Sequence, residues 1–418
     1  MILLFLVALR VLTMSSRRAQ QTETCYIEDV LDQYCVPNHT LTMMALGSSH
    51  WSPPASALEA VARQHVDTRD TQRYGNILGM PELRERLARR LESRGLSLDG
   101  STLAVTGGAN QAFTNIALNL CDQGDKAVLL CPYYFSHKLA LQLAGVDVSL
   151  SEFDKKTHKP DWAALEELVA STKPKVLVMT SPSNPSGAVF SASELEGIVA
   201  LCKRHGTWLV VDQVYYEFLY DGSRHVFPSG YDRIVHIFSL SKSFGMPGWR
   251  VGYVVFPSVL TADFRKIQDT NPTHAPIISQ KLALECLRVD EEKEEKEEKE
   301  EKEEKGGKGF VEAQVRGLDS VREALWDVLG PLGTVRTQGA FYFLVPVPEG
   351  VSEQEAVHLL ATKHKVLLML GSPFGAPQHL RLSYGGLPPA SALAAVERLR
   401  QGFVDIHELA EKRAKPSP

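Results

Sequence analysis

Apolar and polar positions along the middle of the chain follow two different periods. Short apolar runs, typical of buried strands, are separated by longer stretches with the apolar stripe of amphipathic helices. The predicted strands are LAVTG, KAVLLCP, VDVSLSEF, KVLVMTSP, TWLVVDQVY and IVHIFSLSKSF. This alternation predicts an α/β fold, in which helices cover both faces of a mostly parallel sheet.

The pattern divides the chain into five segments. Residues 1–24 are an N-terminal extension, interpreted either as a targeting segment or as a gene-model artefact, and residues 25–54 form an N-terminal arm. The predicted large domain spans residues 55–290 and a smaller α+β domain spans residues 310–418. Between them, residues 291–309 form a low-complexity insertion built on the repeat Glu-Glu-Lys, interpreted as a solvated surface segment. A single amphipathic helix is predicted directly after this insertion, over FVEAQVRGLDSVREALWDVLGPLG.

Composition narrows the class of protein. The 418 residues are 44% hydrophobic and 23% charged, which is typical of a globular chain and excludes a fibrous or mostly disordered one. The Glu-Glu-Lys tract accounts for the whole net charge of −5, so no basic surface for nucleic acid is predicted. Six cysteines without paired spacing argue against a metal site and favour a reducing, cytoplasmic location. The apolar start MILLFLVALRVLTM is too short to span a membrane, while organelle targeting by it stays open.

The strongest chemical signal is a lysine at the end of a predicted buried strand. The strand IVHIFSLS leads into Lys242, and Arg250 follows eight residues later after a Gly- and Pro-rich turn. Most lysines lie on the surface, but a desolvated lysine loses its proton more readily and becomes a nucleophile toward a carbonyl. The planar fork of Arg250 suits a phosphate dianion, and Ser239 adds a hydroxyl donor.

Other strand ends carry polar groups that suit one flat, phosphorylated ring. Asp212 follows four apolar residues, and a buried carboxylate needs a partner such as a protonated pyridine nitrogen. Tyr215 and Asn184 offer donors to a ring oxygen, Gly108 begins a helix whose free N–H groups suit a phosphate, and Tyr134 offers a stacking face. Each residue alone has an ordinary structural explanation. Together they predict a site for pyridoxal phosphate.

Four motifs, SLSKSFGMPGWRVGY, SPSNPSG, VDQVYYEF and RYGNILGMPELRERL, resemble the class I/II aminotransferases, the fold-type I pyridoxal-phosphate enzymes. The resemblance covers residues 42–403 and implies a seven-stranded, mostly parallel sheet in the large domain. It implies that Lys242 is the catalytic lysine that binds the cofactor covalently, and that Asp212 and Tyr215 assist it. The cofactor-binding residues that it implies are Gly108, Ala109, Asn110, Tyr134, Asn184, Asp212, Tyr215, Ser239, Lys242, Arg250 and Tyr74. The substrate-binding residues that it implies are Gly47, Asn184 and Arg381, and it implies no metal.

The resemblance also implies an assembly and a substrate class. In the family, the tyrosine equivalent to Tyr74 reaches the phosphate of the neighbouring subunit, which implies a homodimer with shared active sites. Arg381 resembles the arginine that binds the substrate α-carboxylate, with help from the backbone N–H of Gly47. VTGGANQAF, PYYFSH, WLVVDQVYYEFLYDG and KIQDTNPTHAPIISQ are similar to plant aromatic-amino-acid aminotransferases, which also use methionine as amino donor. The stretch QDTNPTHAPIIS has no arginine or lysine for a second carboxylate. The residues expected to line a pocket for an aromatic or thioether side chain are Trp51, Tyr74, Tyr134 and Phe374.

The predicted function is therefore a pyridoxal-phosphate-dependent aminotransferase. It would move an amino group between an aromatic or methionine-like amino acid and a 2-oxo acid by a ping-pong mechanism. Two alternatives stay open. One is a carbon–sulfur β-lyase or an aminocyclopropane carboxylate synthase-like enzyme on the same fold. The other is a regulatory protein that binds the cofactor without catalysis, which the complete set of site residues disfavours.

Overall fold

The computed structural model describes residues 15–24, 26–35, 41–299 and 309–414, with the backbone alone for residues 295–299. Its α-helices are Arg17–Gln21, Tyr26–Tyr34, Ala55–Gln64, Pro81–Ser93, Ala109–Leu120, Phe135–Leu143, Trp162–Thr172, Ala192–His205, Leu240–Ser243, Thr261–Thr270, Ile277–Lys299, Gly309–Arg316, Asp319–Leu329, Glu353–Thr362 and Pro389–Ala414. Its strands are β1 (Thr42–Met43), β2 (Ser101–Thr106), β3 (Lys126–Leu129), β4 (Asp147–Leu150), β5 (Phe153–Asp154), β6 (Lys159–Pro160), β7 (Val176–Thr180), β8 (Trp208–Asp212), β9 (Ile234–Ser239), β10 (Gly252–Pro257), β11 (Tyr342–Pro346), β12 (Val366–Leu367), β13 (Met369–Leu370) and β14 (His379–Ser383).

Seven strands form the central sheet, in the order β2-β10-β9-β8-β7-β3-β4. Strand β10 is antiparallel to both neighbours, and the other pairs in the sheet are parallel. Strands β7 and β9 are buried along their whole length, as expected for apolar runs that helices cover on both faces. The α/β prediction and the seven-stranded sheet are confirmed. Register places Thr180 beside Asp212, so the ends of adjacent strands lie side by side.

The C-terminal part carries a second, antiparallel sheet with the order β11-β14-β13. Leu368 divides the apolar run VLLML into β12 and β13, which pair with different partners. Strand β12 pairs with β1 in a separate two-stranded sheet, which attaches the N-terminal arm to the C-terminal part of the chain. The helix Pro389–Ala414 buries its apolar stripe against this part of the molecule.

One helix prediction near the insertion needs correction. The predicted single helix after the insertion is two helices, Gly309–Arg316 and Asp319–Leu329, separated at Gly317 and Leu318, because glycine is a poor helix former. The helix before the insertion, Ile277–Lys299, continues into the Glu-Glu-Lys tract. The remaining insertion residues, 300–308, lie outside the described residues, as does the apolar start of the chain.

Candidate active site

One cavity gathers polar groups from several strand ends. Its volume is about 160 Å³, roughly ten times the space that one water molecule needs. The residues that line it are Ile27, Gly47, Ala109, Asn110, Tyr134, Thr180, Asn184, Asp212, Val214, Tyr215, Ser239, Ser241, Lys242, Arg250 and Arg381. Eleven of them are among the residues predicted from the sequence. They meet because β7, β8 and β9 are neighbours whose carboxyl ends share one edge of the sheet.

Lys242 follows β9 in the short helix Leu240–Ser243, and its side chain points into this cavity. Its Nζ donates a hydrogen bond to the carbonyl oxygen of Gly47 at 2.6 Å. Burial, with the nearby charges of Arg381 and Arg250, lowers the pKa of Lys242 to about 8, although Asp212 opposes the change. An appreciable share of the amine is therefore neutral near pH 7, as a nucleophile toward a carbonyl requires.

Asp212 ends β8 with its carboxylate in the cavity and only 5% of the residue exposed. A buried histidine, His137, contacts it, with 3.0 Å between Nε2 and Oδ2. The ring of His137 lies 4.3 Å from that of Phe113, which fixes its orientation. Sequence reasoning missed His137, although its spacing of three from Tyr134 at a helix start put both on one face. The histidine holds the carboxylate in place toward the cavity.

Tyr215 lies on the other side of the cavity, with its phenol fully enclosed. Burial raises the pKa of Tyr215, so the hydroxyl keeps its proton and remains a donor. Tyr342, on β11 of the C-terminal sheet, is hydrogen-bonded to it through the two hydroxyl groups. The sequence analysis did not single out Tyr342, because a tyrosine in an apolar strand has the same pattern as ordinary core.

The turn before the helix Ala109–Leu120 forms a concave surface beside Arg250. Gly108 has φ +97°, and a Cβ on it would lie 2.4 Å from a guanidinium nitrogen of Arg250. That arginine is tied to the turn by a 3.1 Å hydrogen bond to the carbonyl oxygen of Gly107. Ser239 lies at the same edge and caps the helix that carries Lys242. Free helix N–H groups, a guanidinium and hydroxyls are the donors that phosphate binds.

Arg381 is a buried cation whose partners among the described residues are neutral. It is 1% exposed, donates to Asn184 Oδ1 at 3.0 Å and to the Ala45 carbonyl oxygen at 2.6 Å, and has an unpartnered buried Nε. Burial lowers the pKa of Arg381, and among the described residues no carboxylate pairs with it. Its guanidinium lies over the rings of Phe374 and Tyr342, 4.4 and 5.0 Å from their centroids. A buried charge in this state favours an anionic ligand.

Three residues expected near the substrate do not line the cavity. Trp51 packs in the core, stacked on Phe218, with its indole N–H donating to the Ser243 carbonyl oxygen at 3.2 Å. Phe374 supports Arg381 from behind. Tyr74 is 89% exposed and lies outside this cavity, edge-on to His274. Conversely, the apolar cavity residues Ile27 and Val214 were not predicted, because nothing in their local sequence separates them from core positions.

Within residues 15–24, 26–35, 41–299 and 309–414, no helix combines the length and apolar character needed to cross a membrane. In the same residues, no group of three or more His, Cys, Asp or Glu side chains is arranged to hold a metal ion.

Comparison with known proteins identifies the family. Residues 43–399 match the model of the family described as aminotransferase class I and II. The chain belongs to this family. It is 38% identical over 373 residues to an aromatic aminotransferase of Arabidopsis thaliana, covering 87% of this chain and 90% of that protein. It is 30% identical over 351 residues to an aspartate/prephenate aminotransferase of Thermus thermophilus, covering 82% of this chain and 86% of that protein.

Solved structures of the family share the fold. Aspartate aminotransferase from Thermus thermophilus with maleate matches with a TM-score of 0.81 and 28% identity, over 93% of this chain and 99% of that one. An aromatic aminotransferase from Pyrococcus horikoshii matches with a TM-score of 0.79 and 26% identity, over 92% of this chain and 100% of that one. The protein is a pyridoxal-phosphate-dependent aminotransferase, as the sequence predicts, and the lyase alternative is not favoured.

Proposed function

We propose that this aminotransferase acts on amino acids with an aromatic or otherwise neutral side chain. The observation that carries the proposal is the inventory of cations in the cavity. Among the described residues that line it, the cations are Lys242, Arg250 and Arg381, and each already has a task in the proposed site. No cation remains for a second substrate carboxylate, whose burial without a partner would cost several kcal/mol. The apolar lining from Ile27, Tyr134 and Val214 favours an uncharged side chain instead.

The residues present fit pyridoxal phosphate. The concave turn at Gly108, with the N–H groups of Ala109 and Asn110, would hold the phosphate together with Ser239 and Arg250. Asp212 would pair with the ring nitrogen, Asn184 and Tyr215 would donate to the ring oxygen, and Tyr134 would cover one face of the ring. When bound, the cofactor supplies an electron sink that stabilises negative charge on the substrate α-carbon.

The protein side of the chemistry rests on Lys242. Its amine would attach the cofactor through the cofactor carbonyl, and once free it would take the proton from the substrate α-carbon. Arg381 would hold the substrate α-carboxylate by two parallel hydrogen bonds, so that this α-carbon faces the lysine. Asp212, held by His137, would pair with the protonated ring nitrogen. The first substrate would leave as a 2-oxo acid with its amino group retained on the cofactor, and a second 2-oxo acid would take up that amino group, which is a ping-pong sequence.

We further propose that the enzyme is a homodimer in which Tyr74 enters the neighbouring active site. In the single chain Tyr74 is 89% exposed, so its ring is available to a neighbouring subunit. Its loop is nevertheless ordered, because the N–H of Gly75 donates to His274 Nε2 at 3.1 Å. The proposed units are the N-terminal arm, the large domain 55–290, the insertion and the small domain 310–418. Buried free thiols at Cys121, Cys131, Cys202 and Cys286 support a reducing, cytoplasmic location.

The proposal is tested by mixing the purified holoenzyme with one amino acid at a time in the absence of any oxo acid. Phenylalanine and methionine are expected to convert the visible absorbance of the bound cofactor to that of the amine form in a single turnover. Aspartate should react at least about 100-fold more slowly, as an unpaired buried carboxylate costs several kcal/mol. Faster conversion by aspartate would contradict the proposed substrate class. Continuous release of ammonia and pyruvate from cystathionine would restore the lyase alternative.

A further inference from the structure

The hydroxyl group of Tyr342 has a single hydrogen-bond partner among the described residues, the hydroxyl of Tyr215. Tyr342 is fully buried, so its proton has no access to water. A buried hydroxyl without an acceptor costs about 1–3 kcal/mol, and each phenol carries one proton. If Tyr215 donated to Tyr342, the Tyr342 proton would be left without an acceptor. The positions of the two oxygens allow either direction, and this cost favours the bond from Tyr342 to Tyr215.

This direction leaves the proton of Tyr215 free for the cavity that Tyr215 lines. Hydrogen bonds in a chain polarise one another, so a phenol that accepts one bond is a better donor of the next. Tyr342 is also tightly held. Its ring faces the Arg381 guanidinium, and a Cβ on Gly47 would lie 2.3 Å from its hydroxyl oxygen, so that only glycine fits there.

We propose that Tyr342 is a positioning residue that fixes the Tyr215 proton toward the ring oxygen of the cofactor. The inference rests on the role of Tyr215 in the proposed function. Tyr342 belongs to β11 and Tyr215 follows β8, so the relay joins the C-terminal sheet to the central one. The ionisable groups around Tyr342 are Arg381, Tyr215, Tyr134 and Asp212.

The test is the pH midpoint of the visible absorbance of the bound cofactor in the holoenzyme. A donor to the ring oxygen stabilises negative charge there, so a weaker donor lets the lysine–cofactor linkage keep its proton to higher pH. Tyr342→Phe is expected to raise the midpoint by about 0.4 to 1 pH unit, the equivalent of one hydrogen bond. Tyr215→Phe should raise it further. Adding Tyr342→Phe to Tyr215→Phe should change nothing more, because Tyr342 acts through Tyr215.

Tyr384→Phe is the matched control, because it removes another fully buried phenol hydroxyl of the C-terminal part that has no contact with Tyr215. It should leave the midpoint unchanged. An unchanged midpoint in Tyr342→Phe beside a shifted one in Tyr215→Phe would overturn the inference alone. The inference would also be overturned if Tyr342→Phe shifted the midpoint equally in the wild type and in Tyr215→Phe. Equal shifts would show that Tyr342 does not act through the Tyr215 hydroxyl. No shift in Tyr215→Phe would overturn both this inference and the proposed role of Tyr215.

Discussion

Two arginines of this protein are almost equally inaccessible but have opposite surroundings. Arg90, 5% exposed, has Glu217 at 2.5 Å and Asp290 at 2.7 Å. Although burial alone lowers its pKa, these carboxylates outweigh that effect and raise it well above the usual value. Arg381, 1% exposed, has only neutral acceptors, and its pKa is lowered.

The difference separates charge used for structure from charge kept for a ligand. Asp290 accepts hydrogen bonds from the N–H groups of Phe310 and Val311. The Arg90 cluster, which is Arg90, Glu217 and Asp290, therefore connects the helices on either side of the insertion. Arg381 also connects separate parts of the chain, through Asn184 and Ala45, but its acceptors are neutral, so its buried charge has no carboxylate partner among the described residues. Burying a charge without a counterion costs free energy, and a protein tolerates that cost at a site where the binding of a charged ligand compensates it.

The largest effect is expected at Lys242, which lines the same cavity as Arg381 and donates to a neutral acceptor, the carbonyl oxygen of Gly47. Lys242→Ala should reduce kcat by about 10⁴-fold or more, since both the nucleophile and the proton acceptor are lost. The phosphate and ring contacts should still bind the cofactor, which its absorbance reports. Lys159→Ala is the control, because that ammonium is paired with Glu194 at 2.8 Å outside the cavity, and its activity should be normal. Normal turnover by Lys242→Ala would refute the assignment.

Replacement of the unmatched arginine tests function without loss of an ion pair. Arg381→Met should lower kcat/KM for phenylalanine by about 10³-fold, the worth of two charge-assisted hydrogen bonds. Its free energy of unfolding should change by less than about 1 kcal/mol, because removal of the desolvated charge offsets the lost hydrogen bonds. Denaturant titration and steady-state kinetics measure the two quantities. A large loss of stability would mean that Arg381 is a structural cation like Arg90.

The reverse outcome is expected for the matched arginine. Arg90→Met should lower the free energy of unfolding by about 3–5 kcal/mol, because Glu217 and Asp290 would remain buried without their cation. The folded fraction of Arg90→Met should keep normal kcat/KM, since Arg90 does not line the cavity. A stability equal to that of the wild type would contradict the structural role of the cluster.

The smallest effect concerns the pH dependence of cofactor attachment to the apoprotein. A lysine with a pKa of about 8 is mostly protonated at pH 7 and mostly neutral at pH 9. The rate of covalent attachment of pyridoxal phosphate should therefore rise about fivefold from pH 7 to pH 8 and level off above pH 9. A rate that still rises about tenfold per pH unit between pH 9 and pH 10 would show that the Lys242 pKa is not lowered.

Much of the site follows from the sequence because strand ends are visible in it. Asp212, Ser239 and Lys242 come directly after apolar runs, and adjacent parallel strands bring such positions together. His137 and Tyr342 could not be found in this way. Each belongs to an element whose apolar pattern matches ordinary core. Their roles depend on long-range contacts: His137 is 75 positions from Asp212 in the sequence, and Tyr342 is 127 positions from Tyr215.

The fold is likewise only partly predictable from the sequence pattern. The central sheet is predictable because buried parallel strands are apolar and well separated along the chain. The break at Gly317 and the extension of a helix to Lys299 depend on small local preferences, to which a periodic pattern is insensitive.

The most direct test of the unmatched charge is the affinity of the holoenzyme for two analogues that cannot react, 3-phenylpropanoate and its neutral amide. The wild type should bind the acid about 100-fold more tightly than the amide, because Arg381 pairs with the carboxylate alone. In Arg381→Met this preference should disappear. Equal binding of acid and amide by the wild type, or an unchanged preference in the variant, would contradict the account.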